Sequence, residues 1–117
     1  MLTIKQVKES IVGDQDNWLI YLMNFVDDFR RSKDVRMVKD PLTGNHDRYD
    51  ALLSSVVHYL CDELNLDVPE WIYQIPACKD PWFVNGIENL KAISLVESPI
   101  QFRVRKIFVL ENFLSRV

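Results

Sequence analysis

The stretch from Asp47 to Leu66, DRYDALLSSVVHYLCDELNL, constrains the fold of this chain more than any other. Tyr49, Leu52, Leu53, Val56, Val57, Leu60 and Leu64 recur at i, i+3, i+4, i+7, i+8, i+11 and i+15, which places all seven side chains on one stripe of a helix. Asp47 is suited to cap its N-terminus, Asp50 adds negative charge to the first turn, and Asn65 suits a left-handed stop. A helix with so continuous an apolar stripe belongs in a core, and the remaining segments are expected to pack around it.

The 117 residues are 48% hydrophobic and 11% aromatic, enough for one well-filled core and too apolar for disorder. Three glycines and five prolines suit helices joined by short connections better than a turn-rich β-fold. The net charge of −3 gives no whole-chain case for nucleic acid or an anionic membrane surface. No run approaches a membrane span, and the N-terminus MLTIKQVKES has no apolar signal region, so a cytoplasmic location is expected. Cys61 and Cys78 are too few for a disulfide framework and read as reduced thiols.

Ahead of the central stretch, Thr3 caps a predicted helix over Ile4 to Val12, with Ile4, Val7 and Ile11 on one face and Gly13 as its exit. A second helix begins at Trp18 after a cap at Asp16 or Asn17. Its stripe is Trp18, Leu22, Phe25 or Val26, and Phe29, widened by Ile20 and Tyr21 to about half the cylinder. A helix apolar over that much of its circumference is sandwiched or pairs with another chain. The basic segment after it continues as a frayed helix, and Pro41 to His46 reads as a loop.

Beyond Asn65, Pro69-Glu70-Trp71 opens a predicted short helix that turns Trp71, Ile72 and Ile75 inward, and Asp80-Pro81-Trp82-Phe83 repeats the same start signal, ended by Gly86. Leu90, Ile93 and either Val96 or Glu97 hold helical spacing, and Ser98-Pro99 opens a further helix to about Arg105. Ile107 to Leu110 reads as an extended apolar stretch without an identifiable partner strand, before a last helical turn.

No phosphate-binding glycine loop, paired-cysteine zinc pattern or nucleophile elbow is present, and neither a metal nor a cofactor is expected. His58 and Asp62 are an i, i+4 pair better suited to a surface hydrogen bond or ion pair than to one edge of a metal site. Cys61 has no neighbour in sequence to lower its pKa and reads as inert. The adjacent carboxylates Asp27-Asp28 and Asp62-Glu63 diverge on a helix and read as solvated. Two basic clusters remain, Arg30, Arg31, Lys33, Arg36 and Lys39 in one and Arg103, Arg105 and Lys106 in the other. They are candidate phosphate contacts, although the acidic stretch from Asp47 to Asp80 offers them partners within or between chains. Trp18, Tyr21 and Phe25 on the second helix, with Trp71, Trp82 and Phe83, are the candidate anchors for a protein partner.

The spacing of Pro69-Glu70-Trp71, Asp80-Pro81-Trp82-Phe83, Glu97-Ser98-Pro99-Ile100-Gln101-Phe102-Arg103-Val104-Arg105, Ile107-Phe108-Val109 and Leu114-Ser115-Arg116-Val117 resembles a family of small uncharacterised bacterial helical proteins. The likeness spans about the last seventy residues, from Asp47 on. It implies a stand-alone helical protein, or a domain that follows a DNA-binding helix-turn-helix, in a toxin–antitoxin setting, and it carries over no catalytic residue. The region ahead of the match is too short for a helix-turn-helix domain, so DNA binding is not expected to transfer.

The expectation is therefore an all-α, single-domain irregular bundle of five to seven helices. Its expected function is that of a non-enzymatic protein-interaction module, self-associating or bound to a toxin-like partner, with nucleic-acid binding as the alternative. An enzyme site built on His58 and Cys61 ranks last.

Overall fold

The computed structural model describes residues 1–42, 47–84, 86 and 88–115. Most of the expected loop, residues 43–46 with His46, lies outside them, as do Arg116 and Val117 of the terminal motif. Among the described residues the architecture is all-α, with five α-helices, several 3-10 turns and one two-stranded parallel pair of two residues each.

Helix α1, Ile4–Gly13, starts in a reciprocal cap: Gln6 N–H donates to Thr3 Oγ1 at 3.2 Å and Thr3 N–H donates to Gln6 Oε1 at 3.0 Å. Ile4, Val7 and Ile11 are buried as their spacing predicts, and Lys8 is buried with them. Helix α2, Trp18–Ser32, buries Leu22, Met23, Phe25, Val26 and Phe29. One expectation fails at its start: Asn17 makes no capping bond, because Asp14 accepts from both Asn17 Nδ2 and the Tyr21 hydroxyl at 2.8 Å and closes the turn itself. Ile20, which widens the apolar surface of the helix, is solvent-exposed together with Leu19, so this part of the helix is not sandwiched within the chain. Helix α2 stops at Lys33, which adopts φ 53°, so the basic segment does not continue as a helix. It forms a 3-10 turn, Val35–Val38, that Asp34 caps and that buries Met37 and Val38.

Helix α3, Arg48–Glu63, is the centre of the molecule. Asp47 Oδ1 accepts the N–H groups of Tyr49 and Asp50 at 3.0 and 3.2 Å. At the other end Asn65 takes φ 57°, Leu66 N–H reaches Cys61 C=O at 2.8 Å and Asn65 N–H reaches Asp62 C=O at 3.4 Å, the paired bonds of a Schellman stop. The expected stripe is buried except for Leu64, which is half-buried. Ala51, Ser54, Ser55 and Cys61 are buried too, because α1, α2, a 3-10 turn over Glu70–Gln74 and a helix near the C-terminus surround α3.

The expected short helix is a 3-10 helix, Glu70–Gln74, that turns Trp71, Ile72 and Ile75 inward, with Trp71 Nε1 donating to Val38 C=O at 2.9 Å. The largest correction follows. Trp82–Phe83 is a strand, β1, not a helix, and it pairs in parallel with β2, Ile107–Phe108, in the register Trp82 to Ile107 and Phe83 to Phe108. Pro81 fixes a φ that suits an extended chain as well as a helix start, so the acid-proline-aromatic signal was ambiguous. Parallel strands need a long crossover, and helices α4, Lys91–Glu97, and α5, Ile100–Arg103, provide it. Helix α5 also ends two residues before the expected Arg105. Ser98 does not cap it; the single proton of its Oγ lies between the carbonyls of Ser94 and Val109, and Oγ accepts Val109 N–H at 2.8 Å, tying the end of α4 to the strand.

Candidate interaction surface

The aromatic residues picked out from sequence are mostly engaged with each other. Trp18 and Trp82 lie with ring centroids 6.1 Å apart, Tyr49 packs edge-on to Trp82 at 5.5 Å, and Phe113 closes on Trp18 at 6.5 Å. The Arg48 guanidinium sits 4.6 Å over the Trp82 ring. Phe25 is wholly buried and stacked on Phe29, and Trp71 is buried. Tyr21 is half-buried and bound to Asp14. Phe83 is half-buried and stacked on Phe108, with the Lys91 ammonium 5.3 Å from its ring centroid. Phe25 and Trp71 are thus removed from any contact surface, and Trp18 and Trp82 stay half-buried at it.

The arginines among the basic candidates are likewise turned to internal work, while the side chains of Lys33, Lys39 and Lys106 are exposed. Arg30 forms a two-bond fork with Glu63, both contacts at 2.9 Å, and donates to Leu114 C=O. Arg31 pairs with Asp28 one turn away. Arg103 Nη2 donates to Ser98 C=O at 2.7 Å and to Val96 C=O at 3.4 Å, satisfying carbonyls at the end of α4. Arg105 is buried, donating to the carbonyls of Gln101 and Ile72 at 2.7 and 3.4 Å, and burial pushes its pKa down. Lys106, at φ 61°, has an exposed side chain and accepts Trp82 N–H on its carbonyl. The spacing that placed Arg103 and Lys106 one turn apart on a helix does not survive, since α5 ends at Arg103.

Around His58 the polar groups form a clasp. Nδ1 lies 3.4 Å from Arg105 Nη1, and because a guanidinium only donates, Nδ1 is the acceptor; Nε2 lies 3.5 Å from Asp62 Oδ2, which also accepts from Gln101 at 2.8 Å. Burial, then the Arg105 charge, hold the His58 pKa down against the opposing pull of Asp62. Cys61 and Cys78 are both free and buried, and burial with the neighbouring Asp62 pushes the Cys61 thiol up to about 11. Among the described residues no three His, Cys, Asp or Glu side chains converge as metal ligands, and no helix is long and apolar enough to cross a membrane.

What is exposed lies elsewhere. Helix α4 buries Ser94 alone, leaving Ile93, Leu95 and Val96 in solvent, Val96 at 78% exposure, and Ile100 and Val104 continue the apolar surface in sequence at 61% and 57%. Beside α4 runs a groove of about 640 Å³ whose walls include Tyr59, Leu90, Ile93 and Leu110. A second groove of about 360 Å³, between Trp18, Leu19, Val84 and Phe113, shares Leu110 and Asn112 with the first. The two meet at Leu110 and Asn112 and together reach from the exposed start of α2 to α4, a size of concavity that takes side chains from a partner. The helical spacing of Leu90, Ile93 and Val96 or Glu97 marks this segment as a helix without marking it as a contact surface, although a signal is present: Ala92, Ile93, Leu95 and Val96 surround more of a seven-residue helix than any one core can cover.

Comparison with protein-family models, with curated proteins and with solved structures finds no match to this chain.

Proposed function

We propose that this chain is a non-enzymatic protein-interaction module that acts in the cytoplasm and receives a helical segment of a partner along α4 and its two adjoining grooves. The observation that carries this reading is α4 itself, a helix with three large apolar side chains in water and one serine in the core. Leaving such residues exposed forgoes the roughly 25 cal/mol per Å² that burial returns, and contact with a partner recovers it. The non-enzymatic part is supported by the engagement of both His58 ring nitrogens and by the burial of both thiols. Reduced thiols also fit a cytoplasmic setting. A nucleic-acid role finds little support in this geometry, because Arg30, Arg103 and Arg105 point their donors at carbonyls and a carboxylate of their own chain.

The resemblance of the C-terminal motifs to small bacterial helical proteins makes a toxin-like protein the first partner to try. The test is capture from the native host with the wild type and with an Ile93→Asp, Val96→Asp double variant, both checked for folding by circular dichroism. A stoichiometric partner held by the wild type as salt rises and lost by the variant supports the reading. Equal capture by both, or a partnerless monomer, overturns it.

A further inference from the structure

Resting on that reading of α4, we infer that the occupant is an amphipathic helix bearing Lys or Arg beside its apolar stripe, supplied by a different protein rather than by a second copy. The apolar lining of the larger groove comes from Tyr59, Leu90, Ile93 and Leu110, while the charged residues lining it among those described are Glu97 and Glu111, both exposed. Glu97 Oε1 accepts the backbone N–H of Glu111 at 3.1 Å, which holds the two carboxylate-bearing residues together. The nearby cation Lys91 is paired with Glu88 at 3.0 Å on the start of α4 and does not line the groove. The surface is thus a trough that sets apolar side chains beside a pair of carboxylates.

A helix laid in such a trough presents side chains at i, i+3, i+4 and i+7 to the apolar lining and the flanking positions to the carboxylates. Basic residues at those flanks face opposite charge, and acidic ones face repulsion. The same chemistry disfavours a symmetric pair of copies, since an isologous contact sets each patch against itself and brings Glu97 and Glu111 against their own counterparts. Among the described residues, the exposed apolar positions with basic neighbours, Val35 and Val104, lie on a four-residue 3-10 turn and just past the four-residue α5, neither of them a helix long enough to fill the trough, and Leu19 and Ile20 on α2 follow Asp14 and Asp16 rather than a basic flank.

The experiment uses two fluorescent peptides of about fifteen residues, long enough to hold helical structure, with the same Leu stripe and either Lys or Glu at every flanking position. Anisotropy titrations use the full chain as wild type, as a Glu97→Gln, Glu111→Gln double variant and as Ile93→Asp. The wild type is expected to bind the Lys peptide about tenfold more tightly than the Glu peptide at low salt. The overall charge of −3 favours a cationic peptide anywhere on the surface, so the double Gln variant is the decisive arm: it is expected to bring the ratio to about threefold or less. Raised salt should do the same to the wild type, and Ile93→Asp should weaken both peptides. Equal affinities, a preference for the Glu peptide, or a ratio untouched by the Gln substitutions overturns the inference. Binding of neither peptide, while the captured partner is still lost from the Ile93→Asp, Val96→Asp variant, also overturns it and leaves the surface standing. Concentration-dependent dimers strengthened by the Gln substitutions would assign the trough to a second copy, again overturning it.

Discussion

At the scale of single residues, the placement of Lys8 is the choice with the largest energetic consequence. Its ammonium is buried and donates to Asp50 Oδ1 and, at 3.2 Å, to Asp47 Oδ1, pinning α1 to the first turn of α3. Burial alone would raise the Asp47 pKa, but Lys8 and the N–H groups of Asp50 and Tyr49 outweigh it and hold the carboxyl below its usual value. Removing the cation leaves a buried carboxylate without this partner, so Lys8→Met is expected to cost about 3–5 kcal/mol in urea unfolding. The sequence showed Lys8 sharing a helix turn with Val7 and nothing more, because its carboxylates lie 39 and 42 residues away. His58 sets a pH dependence. Its pKa is lowered in the folded state by burial and Arg105, so between that lowered value and the ordinary value of 6.5 the unfolded chain binds more protons. The contribution of His58 to stability is therefore present above pH 6.5 and is lost as pH falls below it. A His58→Gln variant, which keeps an acceptor for Arg105 and cannot titrate, should flatten that segment of a stability-versus-pH curve.

At the scale of elements, three helix ends were legible in their own capping residues, while the cap at the start of α2 was displaced by Asp14. Thr3 with Gln6, Asp47 with its two amides and Asn65 at φ 57° all do what their side chains suggest. Replacing Asn65 by Ala puts a methyl-bearing residue in the left-handed region and should destabilise the fold by about 1 kcal/mol in thermal unfolding. The start at Asp80-Pro81 was not legible, since Pro81 tolerates both an extended and a helical continuation, whereas Pro69 and Pro99 do precede helical turns. The strand Trp82–Phe83 is decided instead by a partner 25 residues later in the chain, as the register Trp82 to Ile107 records. Ser98 locks that arrangement through Val109. Ser98→Ala leaves the buried Val109 N–H without its acceptor, for an expected loss of about 1–3 kcal/mol, and amide exchange at Val109 should rise well before that of α3.

At the scale of the whole molecule, the all-α class and the central place of α3 followed from one periodic stretch, whereas the outward surface did not. Burial is a property of neighbours, and nothing local in Phe25 or Trp71 distinguishes a core aromatic from an interface anchor, nor in Val96 a core valine from an exposed one. The same holds for Arg105, whose acceptors lie partly on the turn carrying Ile72. Because α4 is exposed, the Ile93→Asp, Val96→Asp variant should unfold within about 1 kcal/mol of the wild type, in contrast to any core aspartate. The most direct test of an interaction surface on α4 is amide hydrogen exchange of the chain alone and with its captured partner. New protection concentrated on Lys91–Glu97 and around Leu110, with the exchange of α1 unchanged, is the expected pattern. Protection confined to the Arg30–Lys39 segment, with α4 exchanging as it does in the free chain, would contradict it.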